Sequence, residues 1–172
     1  MGFDSETAFE SALIKCLVEE KGWKDGVIKY PTEKDLLDNW AKIIFENNRD
    51  IDRLGDFPMT DGEMAQIMGQ IAKLRTPLNL NEFINGGTVQ IIRDNENDTH
   101  NFKKTISLKI FDRNEIAAGR TRYQIAQQPK FKAKNSIYPN RRGDFCLLIN
   151  GMPVIHVELK KSNVPVSEAQ YQ

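Results

Sequence analysis

The sequence predicts a mixed α/β fold of the α+β kind, with a central mixed β-sheet flanked by helices. Apolar residues recur at helical spacing up to about residue 76, and β-branched residues follow a strand-like pattern after Asn85-Gly86-Gly87. At 172 residues, with 40% hydrophobic and 28% charged residues, the chain has the size and composition of one globular domain. We therefore expect a single domain over residues 1–172, with an inserted helical pair at about residues 32–76.

Three helices are predicted ahead of most of the sheet. The first, ETAFESALIKCLVEEK, places apolar residues at the i, i+3, i+4 and i+7 positions of a core-facing stripe. The second opens at Thr32 and keeps its apolar periodicity as far as Leu54. The third is capped by Thr60 or Asp61, and its pattern ends at Pro77.

The predicted strands are VIKY, TVQIIRD, KKTISLKIFD and TRYQIAQQ, followed by the strongest hairpin signal of the chain. That hairpin places DFCLLI and MPVIHVELK on either side of Asn150-Gly151, a dipeptide that favours a tight turn. Cys16 lies in the first helix and Cys146 in this hairpin, without metal-type spacing, so we expect reduced core cysteines of a cytosolic protein.

Charged residues interrupt the hairpin, which spans residues 143–161. Glu158 and Lys160 are two residues apart and so share one face of their strand, and Asp144 opens the preceding strand. A two-residue turn would pair Asp144 with Val157 and point it away from Glu158. A bulge or a longer turn would pair Asp144 with Glu158. We therefore expect a bulge or a longer turn if the two carboxylates cooperate.

Two carboxylates held close together repel each other unless a cation lies between them. Mg²⁺, with Mn²⁺ as a substitute, prefers carboxylate, carbonyl and water oxygens, and the carbonyl of Leu159 is a further candidate ligand. Lys160 is then placed to orient the attacking water, and the site suits phosphodiester hydrolysis. The alternative is that these charges form only the solvated face of an edge strand, as alternating charges most often do.

The zero formal net charge hides an uneven distribution. Residues 1–100 hold 11 Lys/Arg and 19 Asp/Glu, whereas residues 101–142 hold 11 Lys/Arg and 2 Asp/Glu. Such a basic segment beside an acidic half indicates a polyanion-binding surface, suited to holding a nucleic acid through its phosphates without base-specific contacts. The predicted DNA-binding residues are Lys130, Lys132, Lys134, Arg141 and Arg142.

Three features of the sequence together resemble a known family. Asp144 followed by Glu-Leu-Lys on the next strand is similar to the motif of the PD-(D/E)xK nuclease superfamily. The longer stretch NRRGDFCLLINGMPVIHVELKKSNVPVSEAQYQ resembles the N-terminal nuclease segment of type I restriction endonuclease R (restriction) subunits. FESALIKCLVEEKGW resembles the opening helix of that family, whereas residues 31–120 match it only loosely.

The resemblance implies a restriction-endonuclease-like core in which Asp144 and Glu158 bind the metal and Lys160 serves the catalytic step. It also suggests that Glu10 completes the metal site. The alternative for Glu10 is a capping box with Thr7. One departure from the family pattern is Gly143, which stands where the motif has proline.

The end of the sequence also departs from the family pattern. The Gln of the family's Q-x-x-x-Y helix motif falls on Gln172, and its Tyr would lie beyond the last residue. R subunits are far longer and carry an ATP-driven DNA translocase after the nuclease. We therefore expect a fragment that holds the nuclease core without its motor, with ATP needed only by that motor.

The function implied is that of a type I site-specific deoxyribonuclease, a Mg²⁺-dependent endonuclease module that cuts unmodified foreign DNA. The resemblance implies a cytoplasmic protein that works with modification and specificity subunits and has no membrane partner. Two alternatives stay open. One is another PD-(D/E)xK nuclease, for repair or junction resolution. The other is an inactive nucleic-acid-binding or subunit-docking module of the same fold.

Overall fold

A computed structural model describes residues 5–85, 87–111, 119–132 and 141–159. Within these ranges the helices and strands alternate along the chain, and the fold is α+β, as predicted. The helices are α1 (Glu6–Glu20), α2 (Glu33–Asn47), α3 (Asp61–Ile71) and α4 (Pro77–Ile84). The strands are β1 (Val27–Lys29), β2 (Thr88–Ile92), β3 (Thr105–Lys109), β4 (Tyr123–Gln127), β5 (Lys130–Phe131), β6 (Arg141–Arg142), β7 (Phe145–Ile149) and β8 (Met152–Val157).

The main sheet has four strands in the order β1-β4-β7-β8. β1 runs parallel to β4, whereas β4 with β7 and β7 with β8 are antiparallel. The predicted mixed sheet is therefore confirmed. β2 pairs with β3, and β5 pairs with β6, in separate two-stranded sheets.

Both faces of the main sheet are covered, because side chains alternate along each strand. On one face, Phe145 and Leu147 pack with Ile14 of α1. On the other face, Cys146 and Leu148 pack with Leu36 of α2. This burial raises the pKa of the Cys146 thiol. β7 is therefore an apolar strand at the centre of the sheet, and charged groups can lie only beyond its ends.

The described chain forms two compact units, and the boundary between them falls within α2. One unit comprises residues 1–36 and 122–172, and the other comprises residues 37–121. The second unit includes α3, α4 and the β2–β3 pair, so it extends well beyond the helical pair predicted at about residues 32–76. That the chain is a single domain stays a prediction.

Two helix boundaries differ from the prediction. α2 ends at Asn47 instead of continuing to Leu54, and Ile51, which lies in the expected extension, is 79% exposed. Pro77 does not end the helical part of the chain, since it occupies the first turn of α4. Thr76 caps this helix by accepting a hydrogen bond from the Asn79 N–H, and proline is tolerated in a first turn, where its missing N–H has no helical partner.

The third helix begins as predicted. The Thr60 hydroxyl accepts a hydrogen bond from the Glu63 N–H, and the Glu63 carboxylate accepts one from the Thr60 N–H. Reciprocal bonds of this kind satisfy two donors that a helix start would otherwise leave unpaired.

A buried ion-pair network organises the second unit. Arg93, fully buried, donates to Glu63 at 2.6 Å and to Asp98 at 2.9 Å, and to the carbonyl oxygens of Phe57 and Pro58. Burial alone would raise the pKa of Asp98, but hydrogen bonds from Arg93 and Asn101 outweigh that effect and hold it below its usual value. One guanidinium therefore joins the start of α3 to the loop that precedes it and to the loop between β2 and β3.

Of the helices in the described ranges, none is long and apolar enough to cross a membrane.

Replacing Arg93 with Met keeps most of the side-chain volume but leaves two buried carboxylates without their cation. We expect Arg93→Met to lower the free energy of unfolding by about 3–5 kcal/mol. The control is Lys42→Ala, which removes an exposed ion pair with Glu46. We expect it to change the free energy of unfolding by less than about 1 kcal/mol. Urea unfolding followed by circular dichroism measures both. Equal effects of the two substitutions would contradict the assigned role of Arg93.

Candidate active site

The turn between β7 and β8 keeps Asn150 and Gly151 in left-handed backbone conformations, with φ of 49° and 84°. Ile149 pairs with Met152 and Leu148 with Pro153, as a two-residue turn requires. The register then shifts by one residue.

After the shift, Leu147 pairs with Ile155 and Phe145 with Val157, so Val154 is the extra residue of a β-bulge. Continued by one residue, this register sets Asp144 opposite Glu158. The expected bulge is therefore confirmed, and it produces the register that the carboxylates need in order to cooperate.

Asp144 is held at the end of β7 by its neighbour strand. Its carboxylate accepts a hydrogen bond from the backbone N–H of Leu159, and its carbonyl oxygen accepts one from the Gln128 N–H at 2.7 Å. Leu159 itself is buried in the core beside Phe145. The position of Asp144 is therefore fixed by β4 on one side and by β8 on the other.

Glu158 lies beside a histidine that sequence reasoning left without a role. The Nε2 atom of His156 is 3.8 Å from the Glu158 carboxylate. A Cβ built on Gly143 would lie 2.6 Å from the same Nε2 atom. Glycine at position 143 therefore leaves room for the imidazole next to Glu158.

Glu10 projects from α1 and is 4% exposed. Its carboxylate accepts hydrogen bonds from Gln127 Nε2 at 2.7 Å and from Gln128 Nε2 at 3.0 and 3.3 Å. The capping box with Thr7 is wrong, because the N-cap of α1 lies two residues earlier, at Ser5, whose hydroxyl accepts from the Ala8 N–H. Sequence reasoning missed both glutamines, whose one signal is the adjacent pair Gln127-Gln128 at the end of β4.

A basic ribbon, defined as β5 and β6 with their exposed cations, continues from the carboxylate end of the hairpin. Lys130 pairs with Arg142 across this ribbon, and Gly143 N–H donates to the Pro129 carbonyl. The side chains of Lys130, Lys132 and Arg142 are exposed. Arg142 is two residues from Asp144, so cationic and anionic groups lie close together along the backbone at this end of the sheet.

Several predicted residues receive no position from the structure. Lys160, Lys134 and Gln172 lie outside the described residues, and Arg141 is placed only by its backbone, opposite Phe131 in the ribbon. What the structure brings together is Asp144 with Leu159 and, by register, with Glu158. Glu10 is joined to this group through Gln128.

The donor chemistry of the site fits a hard cation. Asp144 and Glu158 offer carboxylate oxygens, and Leu159 offers a backbone carbonyl, which are the donors Mg²⁺ prefers. In the described part of the chain no group of three or more His, Cys, Asp and Glu side chains is arranged to hold a metal ion. Mg²⁺ commonly uses only one or two carboxylates and completes its shell with water and phosphate, so the pair is compatible with such a site.

Subunits of type I restriction enzymes are similar to this chain over nearly all of its length. The SsaAORF53P endonuclease subunit of Staphylococcus saprophyticus is 27% identical over 177 residues, covering 98% of this chain and 16% of its own. The SauCOLORF180P endonuclease subunit of Staphylococcus aureus is 27% identical over 175 residues, with the same coverage. The chain thus spans about a sixth of the length of these relatives.

The family model described as the N terminus of the type I restriction enzyme R protein matches residues 4–172. The chain belongs to this family, and the resemblance inferred from its motifs is confirmed.

The contacts of Glu10 predict a loss of stability when its charge is removed. Glu10→Gln replaces a buried carboxylate that accepts from two amides, and we expect it to lower the free energy of unfolding by about 1.5–3 kcal/mol. Glu19→Gln, the same change at an exposed position of α1, is expected to stay within about 0.5 kcal/mol. Denaturant titration measures the free energy of unfolding of both variants. Equal changes in the two would argue against the buried contacts of Glu10.

Proposed function

We propose that this chain is the metal-dependent DNA-cleaving module of a type I restriction enzyme R subunit, hydrolysing phosphodiester bonds of unmodified foreign DNA. The observation that carries the proposal is the bulge in β8, because it sets Asp144 opposite Glu158 in the strand register. A bulge that re-aims side chains is common beside active sites. The printed names of the relatives, which are endonuclease subunits, support the same activity.

In this proposal Asp144, Glu158 and the Leu159 carbonyl hold Mg²⁺, for which Mn²⁺ can substitute. When bound, the ion supplies Lewis-acid chemistry that stabilises the charge of a phosphodiester in the transition state. Lys160 orients the attacking water and offsets negative charge on the phosphate. The hydrogen bond from the Leu159 N–H holds one Asp144 oxygen, which leaves the other oxygen of that carboxylate for the cation.

The basic ribbon provides the DNA contacts of the proposal. Lys130 and Arg142 are paired and exposed on a segment that leads directly to Asp144. Cations at such a place neutralise backbone phosphates on either side of a scissile bond without reading bases. Lys132 adds an exposed cation next to β5, and Lys134 and Arg141 stay predicted DNA contacts of the same basic segment.

The remaining parts of the proposal concern the longer R subunit and its surroundings. The partners are double-stranded DNA and the modification and specificity subunits of a cytoplasmic complex. ATP is assigned to a motor domain outside these 172 residues. The fold is that of a PD-(D/E)xK nuclease, and Gln172 belongs to its Q-x-x-x-Y helix motif.

Loss of either carboxylate removes a ligand and loss of Lys160 removes the cation that serves the water. We expect Asp144→Ala, Glu158→Ala and Lys160→Ala each to reduce DNA cleavage by the assembled enzyme more than about 100-fold. DNA binding and ATP hydrolysis are expected to persist, as measured by filter binding and phosphate release.

The control is Glu19→Ala in the same enzyme, which changes an exposed residue of α1 and is expected to cleave normally. Normal cleavage by all three site variants would refute the catalytic assignment. If all three site variants bind and cleave DNA normally, the docking-module alternative is favoured for this chain.

Substitutions in the basic ribbon are expected to change the salt dependence of DNA binding and not the cleavage step itself. Replacing Lys130, Lys132 and Lys134 together with Ala is expected to reduce the slope of log K against log salt by about 3, because each lysine releases about one counterion. Fluorescence anisotropy over a salt series measures the slope. Replacing exposed Lys15, Lys34 and Lys42 together is the charge-matched control, and an equal change in slope there would exclude a local DNA contact.

A further inference from the structure

We propose that Gln128 is a positioning residue that locks Asp144 to the buried carboxylate of Glu10. The inference rests on the proposed function, since it assigns a new residue to the same site. Gln128 is 8% exposed and lies at the end of β4, outside the hairpin that carries the motif.

The side chain of Gln128 contacts both oxygens of Glu10, at 3.0 and 3.3 Å from its Nε2 atom. Gln127 contacts one of the same oxygens at 2.7 Å. A buried carboxylate is stable only when its oxygens are hydrogen-bonded or paired. The two amides provide these bonds without adding positive charge, so Glu10 acts as a fixed anchor on α1.

The backbone of Gln128 makes the second connection. Its N–H donates to the Asp144 carbonyl at 2.7 Å, so the residue that holds Glu10 also holds the residue proposed to bind the cation. Neighbouring residues of a regular strand point to opposite faces, yet Gln127 and Gln128 reach the same carboxylate.

The left-handed backbone of Gln128, with φ of 52°, ends this alternation. A residue other than glycine in this conformation is strained and persists only where its surroundings over-determine it. At Gln128, the contacts with Glu10 and Asp144 hold the backbone in this conformation. Strain held in this way is a feature of sites where one arrangement of side chains is needed.

The consequence is that Glu10 affects the cation through Gln128. If Gln128 loses its hold on Glu10, the end of β4 is free to relax and the Asp144 carboxylate loses its alignment with Leu159. Partners of a metal ligand typically change metal affinity by about 10–100-fold when they are mutated. Gln128 is expected to fall in this range.

The experiment measures Mn²⁺ affinity by electron paramagnetic resonance, without nucleotide, in the full-length protein that contains this chain. Gln128→Glu places two carboxylates in contact and is expected to weaken the affinity about 10–100-fold. Glu10→Gln combined with Gln128→Glu exchanges the two groups, so that an amide at position 10 faces a carboxylate at position 128. This double variant is expected to recover the affinity to within about 3-fold of the original protein.

Two further variants keep the test decisive. Gln128→Asn tolerates the left-handed backbone but is one carbon too short to reach Glu10, so it is expected to fold and still lose about 10-fold in affinity. Gln90→Glu is the matched control, since it makes the same change at an exposed position of β2 that has no contact with Glu10, and is expected to change the affinity less than about 3-fold. Thermal melting of each variant checks the fold.

Weaker binding by both Gln128 variants with recovery in the exchange would support the inference. An unchanged affinity in Gln128→Asn, an equal loss in the Gln90→Glu control, or an exchange that recovers melting temperature without affinity would overturn it. Asp144→Ala separates the two proposals. If this variant abolishes binding while both Gln128 variants retain it, only the inference fails. If Asp144→Ala binds normally, the proposed function fails and the inference fails with it.

Discussion

One unpaired residue in β8 determines which side chains meet at the end of the sheet. Without Val154 as an extra residue, the tight turn at Asn150-Gly151 would set Asp144 opposite Val157, and the apolar pairing of β7 would continue to its end. With Val154 as the extra residue, Asp144 lies opposite Glu158 at the end of an otherwise buried strand. Since a shift of one residue exchanges the two faces of a strand, this local irregularity controls more of the site than any single contact.

The sequence was most informative where local chemistry decides the structure. The hairpin was predictable from Asn-Gly, the bulge from the need to pair two carboxylates, and the start of α3 from Thr60. The Glu10 anchor was not predictable, because its partners lie more than 110 residues away in the sequence and depend on an unusual φ at Gln128. Two helix boundaries could not be predicted for a different reason. Apolar periodicity continues past Asn47 although α2 ends there, and proline suits the beginning of a helix as well as its end.

Polar side chains have different places in the two units. In the unit of residues 37–121, two-stranded pairing leaves an edge on β2, and α3 covers it with side chains. Gln66 bonds to both backbone groups of Ile92, and Gln70 to the carbonyl of Gln90. An edge satisfied in this way cannot recruit another strand. The unit that carries the carboxylates instead adds strands on both sides of β7, which buries that strand and leaves polar chemistry to its ends.

The close approach of Gly143 to His156 links two positions that a motif search treats independently. A larger residue at 143 must turn the imidazole away, because its Cβ would lie 2.6 Å from Nε2. The size of the residue before Asp144 therefore affects where the His156 imidazole can lie beside Glu158. Glycine at position 143 is thus what lets the imidazole keep its place next to the Glu158 carboxylate.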